Sequence, residues 1–300
     1  MPSWGEVLKE LQAVPPAINP LDTVRRKYLG LLHQKTGRNI IAYYSGWLRQ
    51  PNVRGTEIID DDKNAFMATI HGLDRTLGLD LILHTPGGEV AATESLVDYL
   101  RKMFGTDIRA IVPQIAMSAG TMIACATKEI IMGKHSNLGP IDPQFGGIPA
   151  DGVLDEFNKA LAAIKKDPHS IPLWQVIVGK YHPTFLGECE YAIKWSQRIA
   201  TDWLTTSMFA GLPDARRRAR RLVKKLSDHG RMKTHSRHIP ANTCKTLGLK
   251  VSDLESDAAL QDLVLTVHHC FMHTFANSAA IKITENHTGV AFISNRQPRP

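Results

Sequence analysis

The chain lacks most features of secreted and membrane proteins. Its 300 residues include only four cysteines, and no two of them are spaced as in a Cys-x-x-Cys motif. These cysteines are too sparse for a disulfide framework or a thiolate zinc site. The sequence has no run of about eighteen apolar residues, and its first residues lack the apolar core of a signal peptide. We therefore expect no membrane span and a cytoplasmic location.

Disorder is equally excluded for most of the chain, because 43% of the residues are hydrophobic and 22% are charged. These proportions are typical of globular proteins. A chain of this length buries a large core, and its length predicts one large domain or two small ones.

Two similar segments follow apolar runs of strand length. Leu79–Leu83 predicts a strand and Glu89–Phe104 has helical spacing, so Gly87 and Gly88 occupy the turn between them. Glycine lets a substrate approach the main chain and leaves peptide N–H groups free to point at a carbonyl oxygen. The order repeats downstream, where Ile108–Val112 predicts a strand and Ser118–Ala126 a helix.

Ser118 is therefore expected in the first turn of a helix. Unpaired N–H groups and the positive end of the helix dipole favour a developing oxyanion there. Taken singly, Pro86-Gly87-Gly88 is an ordinary turn and Ser118 an ordinary helix cap. The two together, each between a strand and a helix, indicate a nucleophile beside an oxyanion hole.

At this point the chain resembles the serine dehydrogenase proteinase family of Clp-fold serine proteases. The resemblance is carried by five segments: His84–Val90, Met117–Thr121, Gly133–Gln144, Arg38–Ser45 and Leu247–Val251. It implies a mixed α/β fold of the ClpP/crotonase type, a spiral of ββα units. It also implies that Ser118 is the nucleophile, that the backbone N–H groups of Gly88 and Ala119 form the oxyanion hole, and that the activity is serine endopeptidase hydrolysis.

The general base departs from the family pattern. A serine hydroxyl needs a neighbouring base to take its proton. Where the wider Clp group has a His after the Ser, this chain has Asp142. His235 lies near the place where that group has its Asp, so base and carboxylate would have exchanged positions, giving Ser118, His235 and Asp142. A triad is defined by geometry and roles, and it tolerates a change of chain order. Otherwise, Asp142 is a turn residue before Pro143.

A lysine base, as in the related signal-peptide peptidases, is the alternative. Lys134, Lys159 and Lys165 are the candidates. Each would need burial to lower its pKa towards neutrality.

The remaining segments predict the domain organisation. Residues 1–37 are expected to form a helical segment with a break at Pro15-Pro16, and residues 38–255 the catalytic domain. Within it, Asp60–Thr76 predicts a helix, and a largely helical insertion at about 151–231 indicates an oligomerisation or docking arm. Residues 256–300 are expected to form a long helix and a β-hairpin. The family resemblance and this arm together predict a homo-oligomer.

A basic segment accounts for much of the formal net charge of +7. Ala215–Lys225 carries seven basic residues, from Arg216 to Lys225, and only Leu222 and Val223 offer apolar anchorage. One interpretation is a surface for an acidic partner or nucleic acid. The other is a solvated helix paired with acidic neighbours, which the lack of interleaved aromatic residues favours.

His269 and His273 are four residues apart, as are the ligands of helical zinc sites. The Glu of a His-Glu-x-x-His motif is missing, and Phe271 and Met272 indicate packing. We therefore expect no metal and no cofactor.

Two further function classes stay open. Crotonase-type acyl-CoA hydratases and isomerases share the fold and hold an enolate with two backbone N–H groups. A hydroxyl at Ser118 favours hydrolysis over that chemistry. The replacement of the expected His by Asp142 leaves a catalytically silent scaffold as the third class.

Overall fold

The computed structural model describes residues 3–296, apart from 16, 52, 229 and 231–233. Its α-helices are α1 (Trp4–Ala13), α2 (Pro20–Thr36), α3 (Asp62–Ile70), α4 (Val90–Phe104), α5 (Ala119–Cys125), α6 (Ala150–Lys166), α7 (Ile171–Val178), α8 (Phe185–Thr206), α9 (Ala215–Ser227), α10 (Ala241–Leu247) and α11 (Ala258–Asn277). Its strands are β1 (Asn39–Ser45), β2 (Leu79–His84), β3 (Ile108–Val112), β4 (Ile115–Ala116), β5 (Glu129–Met132), β6 (Asn137–Leu138), β7 (Gln144–Phe145), β8 (Ile148–Pro149), β9 (Ile239–Pro240), β10 (Val251–Asp253), β11 (Ala280–Asn286) and β12 (Ala291–Asn295).

A mixed sheet of seven strands forms the centre of the molecule, in the order β10-β5-β3-β2-β1-β11-β12. The five strands from β10 to β1 are parallel, and β11 and β12 pair antiparallel at the β1 edge. The central strands are buried along their whole length, which explains their continuous apolar sequences. The expected mixed α/β class is therefore confirmed.

Helices cover both faces of this sheet. Tyr43 and Leu81 face a core that includes side chains of α4, α5, α8 and α9. Tyr44 and Ile82, which point to the opposite face, pack with α2 and α11. Alternate residues of one strand thus serve two cores, as the period of a β-strand requires.

The two parallel strand ends that carry the glycine and serine motifs lie side by side. A small sheet, β4-β6-β9, extends from them, and β7 and β8 form a separate hairpin. The Thr85 N–H donates to the Ile115 carbonyl at 3.2 Å, and the Met117 N–H donates to the Thr85 carbonyl at 3.0 Å. This pairing fixes Gly87 and Gly88 beside Ser118.

Buried charges join strands β1, β2 and β3 near their amino-terminal ends. Asp80 is fully buried and accepts hydrogen bonds from Arg38 at 2.7 Å and from Arg109 at 2.7 and 2.6 Å. Bidentate pairing with Arg satisfies a carboxylate that would otherwise be costly to bury.

Most predicted elements are present. The strand at Ile108–Val112 has the predicted bounds, and the C-terminal segment forms the predicted helix and hairpin. The helix predicted for Asp60–Thr76 is too long, because His71 leaves the helical conformation at ψ 127°. The insertion contains α6 to α9; its predicted end near Arg231 lies outside the described residues.

Candidate active site

Gly87 and Gly88 form a turn that only glycine fits. Gly87 has φ 101°, and a Cβ atom there would lie 2.7 Å from the Cβ of Ser118. A Cβ atom on Gly88 would lie 2.3 Å from backbone atoms of Ile58. The Ile58 N–H donates to the Gly87 carbonyl at 2.8 Å, and the Glu89 N–H donates to the Ile58 carbonyl at 2.9 Å. The backbone of the segment before α3 therefore holds the turn in place.

Ser118 lies immediately before α5, one residue earlier than the expected first turn. Its φ of 50° and ψ of −114° are unusual for a residue with a side chain. Such conformations cost on the order of 1–3 kcal/mol and cluster at functional sites. The hydroxyl caps no N–H of α5, so the capping interpretation does not apply, and the residue is partly exposed.

Two backbone donors are available beside this hydroxyl. Neither the Gly88 N–H nor the Ala119 N–H donates to any described residue. Ala119 begins α5, so its N–H also lies at the positive end of the helix. Unused backbone donors near a hydroxyl are one requirement of an oxyanion hole.

His235 and Asp142 form a hydrogen-bonded pair across 93 positions of the sequence. The distance from His235 Nδ1 to Asp142 Oδ1 is 2.8 Å, and the Asp142 side chain is 2% exposed against 21% for His235. When Nδ1 carries the proton and donates to the carboxylate, Nε2 keeps its lone pair. In that tautomer, Nε2 is the ring nitrogen that can accept a proton.

The loop that carries Asp142 is bonded to its surroundings on both sides. The Thr121 hydroxyl donates to the Ala116 carbonyl and accepts from the Gly139 N–H, both at 2.9 Å. The Ile141 N–H donates to the Leu226 carbonyl at 3.2 Å, at the end of α9. Asp142 is thus fixed both to the helix that follows Ser118 and to the helical insertion.

A cavity of about 1160 Å³ brings these groups together. Ser118, Gly88 and His235 line it, although no hydrogen bond joins Ser118 Oγ to His235. Its walls are largely apolar and come from six separate parts of the chain. The apolar lining residues include Ile59, Val90, Phe145, Tyr191, Ala192 and Trp195. An apolar cleft with a few converging polar groups is the usual form of a small-ligand or peptide site.

The three candidate lysines lie elsewhere. Lys134 is exposed and lines a different cavity, and its backbone N–H donates to the Glu255 carboxylate at 2.8 Å. Lys159 and Lys165 are exposed on α6 and do not line the cavity of Ser118. None of the three has the burial that a lysine base needs.

Trp195 is a site residue that the motifs did not reveal. It belongs to α8 in the helical insertion, and its indole N–H donates to Glu94 of α4 at 3.1 Å. Because Trp195 lies 77 positions after Ser118 in the sequence, no local pattern connects the two. Only the packing of the insertion brings it to the cavity.

The histidines of α11 are packed against neighbouring side chains. The His273 ring lies 3.7 Å from the Trp4 ring and its Nε2 is 3.1 Å from the Trp4 carbonyl oxygen. Burial lowers the pKa of His268 to about 3. Among the described residues, no three His, Cys, Asp or Glu side chains are grouped to hold a metal.

The basic helix α9 is better anchored than its sequence predicted. Ala215, Ala219 and Leu226 are buried together with Leu222 and Val223, so the expectation of little apolar anchorage is wrong. The small alanines complete an apolar face that large residues alone do not show. Asp202 and Asp214 pair with three arginines of the helix.

Across the described part of the chain, no helix is both long enough and apolar enough to cross a membrane.

Comparison with known proteins gives a match over most of the chain. A family model described as ClpP-like SDH-type serine proteinase matches residues 25–264. Two relatives from Methanocaldococcus jannaschii, both described as uncharacterized proteins, are similar over shorter stretches. One is 40% identical over 94 residues, which are 31% of this chain and 32% of the relative. The other is 37% identical over 99 residues, which are 33% of this chain and 34% of that relative. The matches thus cover about a third of these relatives.

Proposed function

Because the chain belongs to the family of ClpP-like SDH-type serine proteinases, we propose that it is a serine endopeptidase whose nucleophile is Ser118. His235 is the general base, Asp142 orients it, and the N–H groups of Gly88 and Ala119 form the oxyanion hole. One observation carries this assignment. The Asp142–His235 hydrogen bond of 2.8 Å adjoins the cavity that Ser118 and Gly88 also line.

The proposed reaction begins with attack of Ser118 Oγ on the carbonyl carbon of the scissile peptide bond. His235 Nε2 takes the hydroxyl proton as the bond forms, and Asp142 stabilises the resulting imidazolium. The carbonyl oxygen becomes an oxyanion that accepts hydrogen bonds from the Gly88 and Ala119 N–H groups. One such donor is worth about 10²–10³ in rate.

Collapse of the tetrahedral intermediate breaks the C–N bond. His235 returns its proton to the leaving amine, and an ester of Ser118 remains. Water then attacks the ester, again with His235 as base, and the acid product leaves. No step in this sequence requires a metal or an organic cofactor.

The missing hydrogen bond between Ser118 and His235 is compatible with this mechanism. Catalytic hydrogen bonds are often long in enzymes without substrate and tighten in the complex. His235 is 21% exposed, whereas its partner Asp142 is buried. A bound peptide that fills the cavity would exclude water from the imidazole and bring the two groups together.

Exposure argues against the lysine alternative. A lysine base needs a pKa near neutrality, which burial provides. Lys134, Lys159 and Lys165 are all exposed. The conformation of Ser118 also favours hydrolysis over crotonase chemistry. A serine in a strained backbone conformation beside two unused N–H donors has the parts that acyl transfer needs, a nucleophile and an oxyanion hole.

We also propose that residues 38–255 form the spiral of the ClpP/crotonase fold and that the protein assembles into a homo-oligomer. Leu161, Leu173 and Val176, in the insertion, are 58–66% exposed, which supports burial of this arm against another copy. The cytoplasmic location remains a prediction from the sequence.

Labelling with a fluorophosphonate probe tests the proposal. The wild-type protein should form a stable phosphonyl ester on Ser118, and Ser118→Ala should not. The probe separates a serine hydrolase from a hydratase or a silent scaffold, since neither of these activates a serine. Equal labelling of wild type and Ser118→Ala would refute the assignment of the nucleophile.

A further inference from the structure

A second cavity lies beside the basic helix α9, apart from the site of Ser118. It has a volume of about 340 Å³, and Leu247 and Gly248 at the end of α10 also line it. Four basic side chains of α9 line it: Arg217, Arg218, Arg221 and Lys225. Its volume is at the lower end of the usual range for small-molecule sites.

Helical spacing brings these cations to one side. Arg217, Arg221 and Lys225 follow one another at intervals of four, so they lie along one face of α9. Leu222 lines the cavity and is buried, as is Phe209 from the preceding loop. The lining thus combines buried apolar residues with cationic side chains of α9.

Among the residues that the structure describes, only part of this positive charge is neutralised. Asp214 also lines the cavity and binds Arg217 at 3.1 Å and Arg218 at 2.7 Å. Arg221 and Lys225 form no ion pair with a described residue. Four cations and one carboxylate leave the cavity with a formal charge of +3.

We propose that this cavity binds the triphosphate group of a small molecule. A triphosphate carries three or more negative charges, which match the uncompensated charge of the site. Arginine guanidinium groups bind phosphate oxygens in a bidentate manner, and three of the four cations are arginines. Asp214 is an internal competitor that occupies two of them in the free protein.

The site favours a small polyanion over nucleic acid. α9 contains no aromatic residue on which a base could stack. Two further cations, Arg220 and Lys224, are exposed on α9 outside the cavity, so they provide a matched control of equal charge. A cavity site depends on Arg221 and Lys225, whereas a diffuse electrostatic surface depends on all four.

Isothermal titration calorimetry of the full chain with sodium tripolyphosphate tests the proposal. Binding should weaken about tenfold or more in R221Q/K225Q and change less than about twofold in R220Q/K224Q, because only the first pair contacts the ligand. Asp214→Asn should bind more tightly, since it releases two arginines and removes a negative charge.

A parallel titration with ATP identifies the source of the triphosphate. Equal affinity for ATP and tripolyphosphate assigns recognition to the phosphates, and higher affinity for ATP adds a contact with the nucleoside. No binding, or an equal loss in both double variants, would overturn the proposal. Tighter binding of single-stranded oligonucleotide than of tripolyphosphate would also overturn it. Circular dichroism of each variant shows whether α9 remains folded.

Discussion

Gly87 lies so close to Ser118 that a Cβ atom on the glycine would come within 2.7 Å of the Cβ of the serine. The turn and the proposed nucleophile therefore determine each other's position. A methyl group at Gly87 must displace Ser118, the adjoining backbone, or both.

Gly87→Ala is accordingly expected to abolish peptidase activity. Gly105 is the matched control, because it also has positive φ, 61°, but a Cβ there would meet nothing within 4 Å. Gly105→Ala should lose about 1 kcal/mol of stability through backbone strain and remain active. Peptide hydrolysis and urea denaturation of both variants measure this difference. Full activity of Gly87→Ala would contradict the described contact.

Ser118→Ala should lower kcat by about 10⁶, the typical cost of removing a triad nucleophile. Ser118→Gly should be equally inactive but more stable than Ser118→Ala by about 1 kcal/mol, because glycine tolerates φ 50° without strain. Chemical denaturation of the two inactive variants compares their free energies of unfolding. A less stable glycine variant would show that Ser118 is not strained.

Removal of the proposed base should be nearly as severe. His235→Ala is expected to lower kcat/KM by four to six orders of magnitude, and Asp142→Asn by about 10⁴, because the amide favours the wrong imidazole tautomer. Lys134→Ala, Lys159→Ala and Lys165→Ala serve as controls and should retain most activity, since all three side chains are exposed. Full activity of His235→Ala would show that His235 is not the general base, and the three lysines would then be the candidates.

Stability should decrease in acid because of two buried histidines. His84 and His268 have ring centroids 5.2 Å apart, and burial depresses the pKa of both, to about 3 for His268. Below about pH 6.5 the unfolded chain therefore binds more protons than the folded one, so the free energy of unfolding decreases as the pH is lowered. The loss per group is about 1.4 kcal/mol per pH unit and continues down to the folded-state pKa.

His84→Leu should reduce this slope, because neither ring nitrogen of His84 has a hydrogen-bond partner among the described residues. Urea denaturation between pH 7 and pH 4.5, with the wild type in parallel, measures the slope. The same slope in both proteins would exclude His84 as a source of the acid sensitivity.

Trp195 is expected to select the substrate side chain. It forms part of the apolar wall of the cavity, and its hydrogen bond to Glu94 fixes the ring. Trp195→Ala should lower kcat/KM about 10–200-fold for peptides whose side chain against the cavity wall is large and apolar. The decrease should be smaller for peptides with alanine at that position. A uniform loss across a fluorogenic peptide series would indicate a structural role instead.

The sequence was most informative about motifs whose residues lie close together in the chain. The glycine turn and Ser118 lie next to strands and helices with clear periodicity, so β3 was predicted with its observed bounds. The choice of His235 and Asp142 depended on family resemblance. The structure places the two 2.8 Å apart, and their catalytic roles remain a prediction.

The features that were missed have weak local signals. Strands β4, β6 and β9 have two residues each, which is too short for any alternation. The buried face of α9 depends on Ala215 and Ala219, which a hydrophobic pattern does not distinguish from exposed alanines. Trp195 and Tyr191 reach the cavity only through tertiary packing of the insertion.

The separation of His235 from Asp142 sets an order of events during synthesis. A ribosome completes both oxyanion donors and Ser118 more than a hundred residues before it adds His235. In the interval, α6 to α9 must emerge and fold before a contact spanning 93 positions can close. If His235 is the base, a nascent chain that has not yet reached residue 235 carries an unactivated serine, and cleavage of neighbouring proteins is withheld until that histidine has been added.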